Sequence, residues 1–92
     1  MIRRRHPTEP LGISIAGGIG SALGDVPIFI ADVDEKGPAY RVLKVSERIV
    51  SINGQSAHRI THNQCAQMLR TPNLDVQLEV TQFSFRSNHK IN

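Results

Sequence analysis

Four apolar residues in strict alternation, Leu74, Val76, Leu78 and Val80, interleave with Asp75, Gln77, Glu79 and Thr81. A period of two over eight residues describes a strand with one buried and one solvated face. Such a strand needs a partner layer, and the chain has one good helix to supply it. Thr61 and Gln64 form a capping box, in which the hydroxyl and the amide side chain satisfy free N–H groups of the first turn. The helix is expected over about His62–Arg70 and must stop before Pro72, which disfavours helix at Thr71. Cys65, Met68 and Leu69 make its core-facing stripe, and His62, Ala66 and Leu69 make a second stripe beside it. Asn63, Gln67 and Arg70 take the solvent side.

The remaining strands are short. Ile28–Val33 and Arg48–Ile52 are β-branched runs, the second closed by the turn pair Asn53-Gly54. Leu11–Ala16 is a third, ended by Gly17-Gly18, and a weak first strand lies at Ile2–His6. Gly37-Pro38 opens a short turn of helix through about Val42, and Gly17–Pro27 is a flexible loop of mixed small residues. The alternation loses phase after Gln82, where Phe83 and Phe85 fall on the other parity. The expected organisation is one domain over residues 1–83 followed by a polar tail over 84–92. With 92 residues there is room for a single core. The fold class is α+β: a small, partly open barrel or sandwich of five to six strands, capped by one main helix and one short helix.

Charge is the first functional clue, and it shrinks on inspection. The net charge of +3 equals the terminal triplet Arg3-Arg4-Arg5; without it, basic and acidic side chains are equal in number. Aromatic residues are only 4% and none interleaves with the triplet, so no nucleic-acid stacking platform is visible. Attraction to anionic lipid or phosphoinositide headgroups through Arg3–Arg5, with Lys36, Arg41 or Lys44, is the alternative function.

Enzymatic readings find little. Gly18, Gly20 and Gly24 only loosely echo a dinucleotide loop, and the chain is too short for the βαβ unit around one. Cys65 sits on the core-facing stripe, where a thiol is inert. His58 and His62 are separated by Ile60 and the cap at Thr61, which argues against a metal pair. No enzyme activity, cofactor or metal is expected. The single cysteine excludes an internal disulfide, and MIRRRHPTEP is not followed by an apolar stretch of signal-peptide length. A reducing, intracellular setting is the expectation.

Pro10-Leu11-Gly12-Ile13 is more informative. Glycine at position 12 permits a backbone that turns successive amides the same way, making an anion nest beside apolar Leu11 and Ile13. An ordinary turn into a strand fits the same residues. The helix separates the two readings. If Leu11–Ala16 is an edge strand beside it, a groove runs between Ile13 and Ile15 on one side and His62, Ala66 and Leu69 on the other. Its floor then offers unpaired backbone groups to an added strand.

At these residues the chain resembles the PDZ domain family, over residues 2–82. Pro10-Leu11-Gly12-Ile13 stands where the family has its Gly-Leu-Gly-Phe loop, and Ser14-Ile15-Ala16-Gly17-Gly18 matches the strand that follows. Gly37-Pro38-Ala39 looks like the start of the short helix. Leu43 through Gly54 resembles the family's most recognisable stretch, and Thr61-His62 through Arg70 its ligand-facing helix. The resemblance implies a scaffold or adaptor module that binds C-terminal peptides, Ser/Thr-X-hydrophobic-COOH, by strand addition beside Leu11–Ala16. It implies that the amides of Leu11, Gly12 and Ile13 hold the carboxylate, and that Leu11, Ile13, Ile15, Ala66 and Leu69 line the pocket for the last side chain. It further implies that His62 accepts the ligand's Ser or Thr hydroxyl, and that Ser14 and Ala16 contribute strand contacts. Support for the carboxylate from upstream falls near Arg5 or His6, although Arg5 also reads as an ordinary exposed charge. Implied partners are the tails of membrane receptors, channels or adhesion proteins. The implied setting is cytoplasmic, at the membrane-associated cortex, cell junctions or synapses, among neighbouring domains of a larger scaffold.

Two departures from the family pattern carry physical consequences. Pro10 replaces the loop's first glycine and brings no N–H, but that amide is not among the three invoked. Ser46-Glu47 replaces Gly-Asp; a positive φ at Ser46 would cost on the order of 1 kcal/mol, while Glu47 keeps the acceptor.

Overall fold

The computed structural model describes residues 1–82. Among them are seven strands and one helix: β1 (Ile2–Arg3), β2 (Ile13–Ala16), β3 (Phe29–Val33), β4 (Glu47–Ile52), β5 (Gln55–Ser56), α1 (His62–Leu69), β6 (Asp75–Val76) and β7 (Leu78–Gln82). The α+β class holds. The tail over 84–92 lies outside the described residues.

The main sheet runs β2-β3-β4-β5, with β7 paired to β4, and a two-stranded sheet joins β1 to β6. All pairings within the two sheets are antiparallel. Three of the four alternating apolar residues face inward as expected, with Val76 buried and Leu78 and Val80 packed on the core, while Leu74, ahead of β6, is exposed. It serves two sheets rather than one. The break falls at Gln77, whose C=O accepts from Asn53 N (2.7 Å) and whose N–H donates to Asn53 Oδ1 (2.8 Å). Asn53 (φ 49°) and Gly54 (φ 83°) form the tight turn from β4 into β5.

The helix forms as its local signals require. Thr61 is the N-cap, Gln64 completes the capping box, and Cys65 and Leu69 are buried. Burial pushes the Cys65 thiol up to about 11, so it packs as an apolar side chain. The core joins Ile2, Ile30, Ile49, Ile52, Cys65 and Val76 from both sheets and the helix.

Two loops differ from expectation. Residues 37–43 do not make a helix. Tyr40 N–H donates to Gly37 O and Val42 N–H to Ala39 O, and Leu43 N–H reaching Ala39 O is the one i→i+4 bond there. Pro38 has no N–H to give, and so short a segment does not offset the cost of helix nucleation. The turns still bury Ala39 and Leu43. The loop from Gly17 to Pro27 is stitched by its own bonds, including Gly18 N–H to Val26 O (2.7 Å) and Ser21 Oγ to Gly24 O (2.7 Å).

Ser46 adopts φ 79°, the left-handed region in which its Cβ is crowded. It is held there by Ser46 N–H to Ile30 O (2.8 Å) and, next door, by Lys44 N–H to Glu47 Oε1 (2.8 Å). Ser46→Gly is therefore expected to stabilise the domain by about 0.5–1 kcal/mol, seen as a higher urea midpoint. An unchanged or lower midpoint would mean that the strain is absent.

Candidate functional site: a groove between strand and helix

β2 is the end strand of its sheet, paired to β3 along one side only, with Ile13 opposite Val33 and Ser14 opposite Asp32. The helix lies beside its other edge. Between them is a groove of about 900 Å³ that brings together Leu11, Gly12, Ile13, Ile15, Ala66 and Leu69. Those are the loop and pocket residues expected from the sequence. Ser14 lines the same groove. Ala16 and His62 line a second hollow, about 630 Å³, and Ile15 borders both.

The loop at the closed end is shaped by which of its backbone groups are already used. Leu11 O accepts from Ala39 N (3.3 Å) and Gly12 O from Asp34 N (2.7 Å), so both carbonyls are tied into the fold. The N–H groups of Leu11 and Gly12 have no partner among the described residues. Buried or half-buried donors seek acceptors, and an anion at this spot would meet two at once. Gly12 makes the arrangement possible. Its φ is +80°, and a Cβ there would stand 2.9 Å from Gly37 Cα, so the loop rests directly on a second backbone.

His62 is half-buried at the first position of α1. Its Nδ1 lies 2.9 Å from Gly17 O. A carbonyl only accepts, so Nδ1 carries the proton, and in the neutral ring Nε2 is left as an acceptor. The histidine is thus oriented by the end of β2, with one hydrogen-bonding nitrogen to spare.

The three adjacent arginines part company. Arg3 pairs with Asp75 across β1 and β6 (2.9 Å), on the surface. Arg5, whose side chain is 78% exposed, forms an ion pair with Glu9. Glu9 also accepts from Arg5 N (2.6 Å), and these bonds hold its carboxyl below the usual carboxylate range. Arg5 is not among the residues lining the groove, and its charge is directed to Glu9 instead. His6 turns to Thr8, with Nδ1 3.0 Å from Oγ1.

Arg4 is the residue that sequence reasoning passed over. It is 4% exposed and lines the groove. Nη2 donates to Leu69 O (2.7 Å), and Nη1 donates to Asn73 O (3.0 Å), to Thr71 O and, more loosely, to Pro7 O (3.5 Å). Its guanidinium therefore fastens the C-terminal end of α1 and the turn after it to the segment entering the carbonyl-tied loop. A signal for it was available. Ile2 is buried, and period two from Ile2 points Arg4 inward and Arg3 and Arg5 outward. Read as a run of like charge, the triplet hid that alternation.

Comparison with known proteins agrees with the geometry. The PDZ domain family model matches residues 1–81. The chain is a PDZ domain. It is 46% identical over 79 residues to the human Multiple PDZ domain protein, covering 84% of this chain, and 50% identical over 68 residues to rat InaD-like protein, covering 72%. Human Erbin is 36% identical over 83 residues. In each case the chain spans a small part of the relative, 4% of the first two and 6% of the third. The second PDZ domain of Dlg1 from the choanoflagellate Monosiga brevicollis superposes with a TM-score of 0.79 at 34% identity, covering 96% of this chain and 95% of that one. A PDZ domain is a peptide-binding module. Among the described residues no helix is long and apolar enough to cross a membrane.

Proposed function

We propose that this PDZ domain captures the C-terminal tail of a partner protein, of the form Ser/Thr-X-hydrophobic-COOH, as an antiparallel strand added to β2. The observation that carries it is the pairing of an open β2 edge with a loop whose carbonyls are tied inward and whose amides at Leu11 and Gly12 are free. The carboxylate sits at the amides of Leu11, Gly12 and Ile13. The last side chain enters between Leu11, Ile13, Ile15, Ala66 and Leu69. Ser14 and Ala16 contribute strand contacts. His62 Nε2 accepts the hydroxyl proton of the Ser or Thr two residues before the end. The groove is small, and an affinity near micromolar, about −8 kcal/mol, suits it.

The unit that does this spans residues 1–83, and its role is tethering without turnover or cofactor. Its partners are the cytoplasmic tails of receptors, channels or adhesion proteins, held at the membrane cortex, junctions or synapses by a scaffold with neighbouring domains. Anionic lipid as the main ligand draws no support from the arginine triplet, because Arg3 and Arg5 are paired with carboxylates and Arg4 is buried. Carboxylate support from Arg5 is likewise not part of the proposal, since Glu9 takes it.

A C-terminal peptide library on the native domain and on His62→Ala tests the assignment. The native domain is expected to favour Ser or Thr over Ala two residues from the end by roughly three- to tenfold, the worth of one hydrogen bond. His62→Ala should erase that preference and keep the terminal hydrophobic one. An identical profile for both proteins would remove His62 from the site.

A further inference from the structure

We propose that Glu9 is a built-in brake on carboxylate ligands, and that its ion pair with Arg5 sets how hard the brake acts. The inference rests on the strand-addition reading above and concerns the net charge that a ligand's terminal carboxylate meets at the loop. Glu9 is 7% exposed and lines the groove. It stands two residues before Leu11, so its Cα lies within about 7 Å of the Cα of the first amide donor. Five charged residues line this groove: Arg4 and Arg70 are basic, while Glu9, Asp32 and Asp34 are acidic. A site that receives an anion therefore carries one more negative than positive charge on its own walls.

Arg5, outside that lining, makes up the difference. Its side chain donates through Nε to Glu9 Oε2 (2.8 Å) and also through Nη2, while its backbone N–H donates to the other oxygen, Oε1. Both carboxylate oxygens are thereby occupied, and the bonds favour the charged form of the carboxyl. Asp32 and Asp34 have no ion-pair partner among the described residues. Glu9 is thus the acid of the groove to which a cation is matched. Without the guanidinium, its charge would oppose an incoming carboxylate over a distance comparable with the screening length of physiological salt, about 8 Å. Without the Glu9 carboxylate, the guanidinium would stand unmatched beside the loop and add to its attraction for an anion. The pair holds the loop near neutrality, so that the amides, and not a net charge, set the affinity.

The test compares the native chain, Arg5→Gln, Glu9→Gln and the double variant. Glutamine at position 9 keeps an acceptor for the Arg5 N–H while removing the charge. Each protein is titrated with one peptide ending in Thr-X-Val, as the free acid and as the C-terminal amide, by nuclear magnetic resonance so that the weaker amide is also read. Arg5→Gln is expected to weaken the acid about threefold and Glu9→Gln to tighten it about threefold, the effect of one partly screened charge. The double variant should return close to the native affinity, because the two charges act through each other. The amide should bind all four proteins alike. Unchanged acid affinities, equal shifts for acid and amide, or single variants that move in the same direction overturn the brake and leave the strand-addition reading standing. A native chain that binds neither peptide, or both equally, overturns the carboxylate reading and the brake with it.

Discussion

Arg4→Met is expected to destabilise the domain by about 3 kcal/mol, the largest effect of any charged residue among the described residues. Methionine keeps most of the volume but none of the donors. The carbonyls of Leu69, Thr71 and Asn73 would lose a charged partner, and the bond to Leu69 O is buried. Hydrogen bonds to a charged group are worth about 1.5–3 kcal/mol each, and the cost of keeping a guanidinium out of water offsets part of their sum. A domain of this size has a total stability of only about 5–14 kcal/mol, so the loss is a large share of the whole. Arg4→Lys should recover less than half, because a point charge does not reach several carbonyls in one plane. Arg3→Ala, which breaks an exposed pair, should cost about 0.5 kcal/mol or less. Urea unfolding of the three variants checks the ranking. Equal effects for Arg3 and Arg4 would mean that the triplet acts as a surface tag after all.

Gly17→Ala is expected to cost about 3 kcal/mol and to disturb ligand selectivity as well. At φ +86° an L side chain is already strained, and the new Cβ would overlap Pro27 O while lying 3.0 Å from Pro27 C and 3.1 Å from Val26 O. Those atoms are backbone, so relief requires moving the turn between β2 and β3. The same residue's carbonyl is the acceptor that orients His62. Any relaxation there loosens the imidazole. Gly20→Ala separates conformational strain from collision. Its φ is +81°, yet no atom lies within 4 Å of the added carbon, so about 1 kcal/mol is expected. Thermal unfolding gives the stabilities, and a peptide series varied at the third-last residue gives the selectivity. Equal losses at the two glycines would contradict the steric account.

How much of this was legible beforehand follows from how local each signal is. Thr61, Gln64 and the stripe at Cys65 and Leu69 specify a helix, and the structure places it at His62–Leu69, one residue short of the expected end, with Arg70 as the C-cap. The strand alternation at 74–80 was equally plain, but its division between two sheets depends on Asn53, distant in sequence and adjacent in space. The groove was readable because its two walls have separate periodicities, two along β2 and 3.6 along α1, that converge on apolar side chains. The free amides at Leu11 and Gly12 were readable only as an expectation, since they depend on Asp34 and Ala39 taking up the neighbouring carbonyls. Arg4 and Glu9 were missed because a charge carries no hydrophobic signal even when it is buried. The positive φ at Ser46 was foreseen only as a condition, since it became visible through the resemblance to a family that has glycine there.

The central claim is that neutral backbone amides at Leu11, Gly12 and Ile13 receive a ligand's terminal carboxylate. Isothermal titration of the native chain with one peptide ending in Thr-X-Val, as the free acid and as the C-terminal amide, tests it most directly. The account predicts near-micromolar binding for the acid and a loss on the order of 100-fold for the amide, the worth of charge-assisted hydrogen bonds given up. Equal affinity for the two peptides would contradict it.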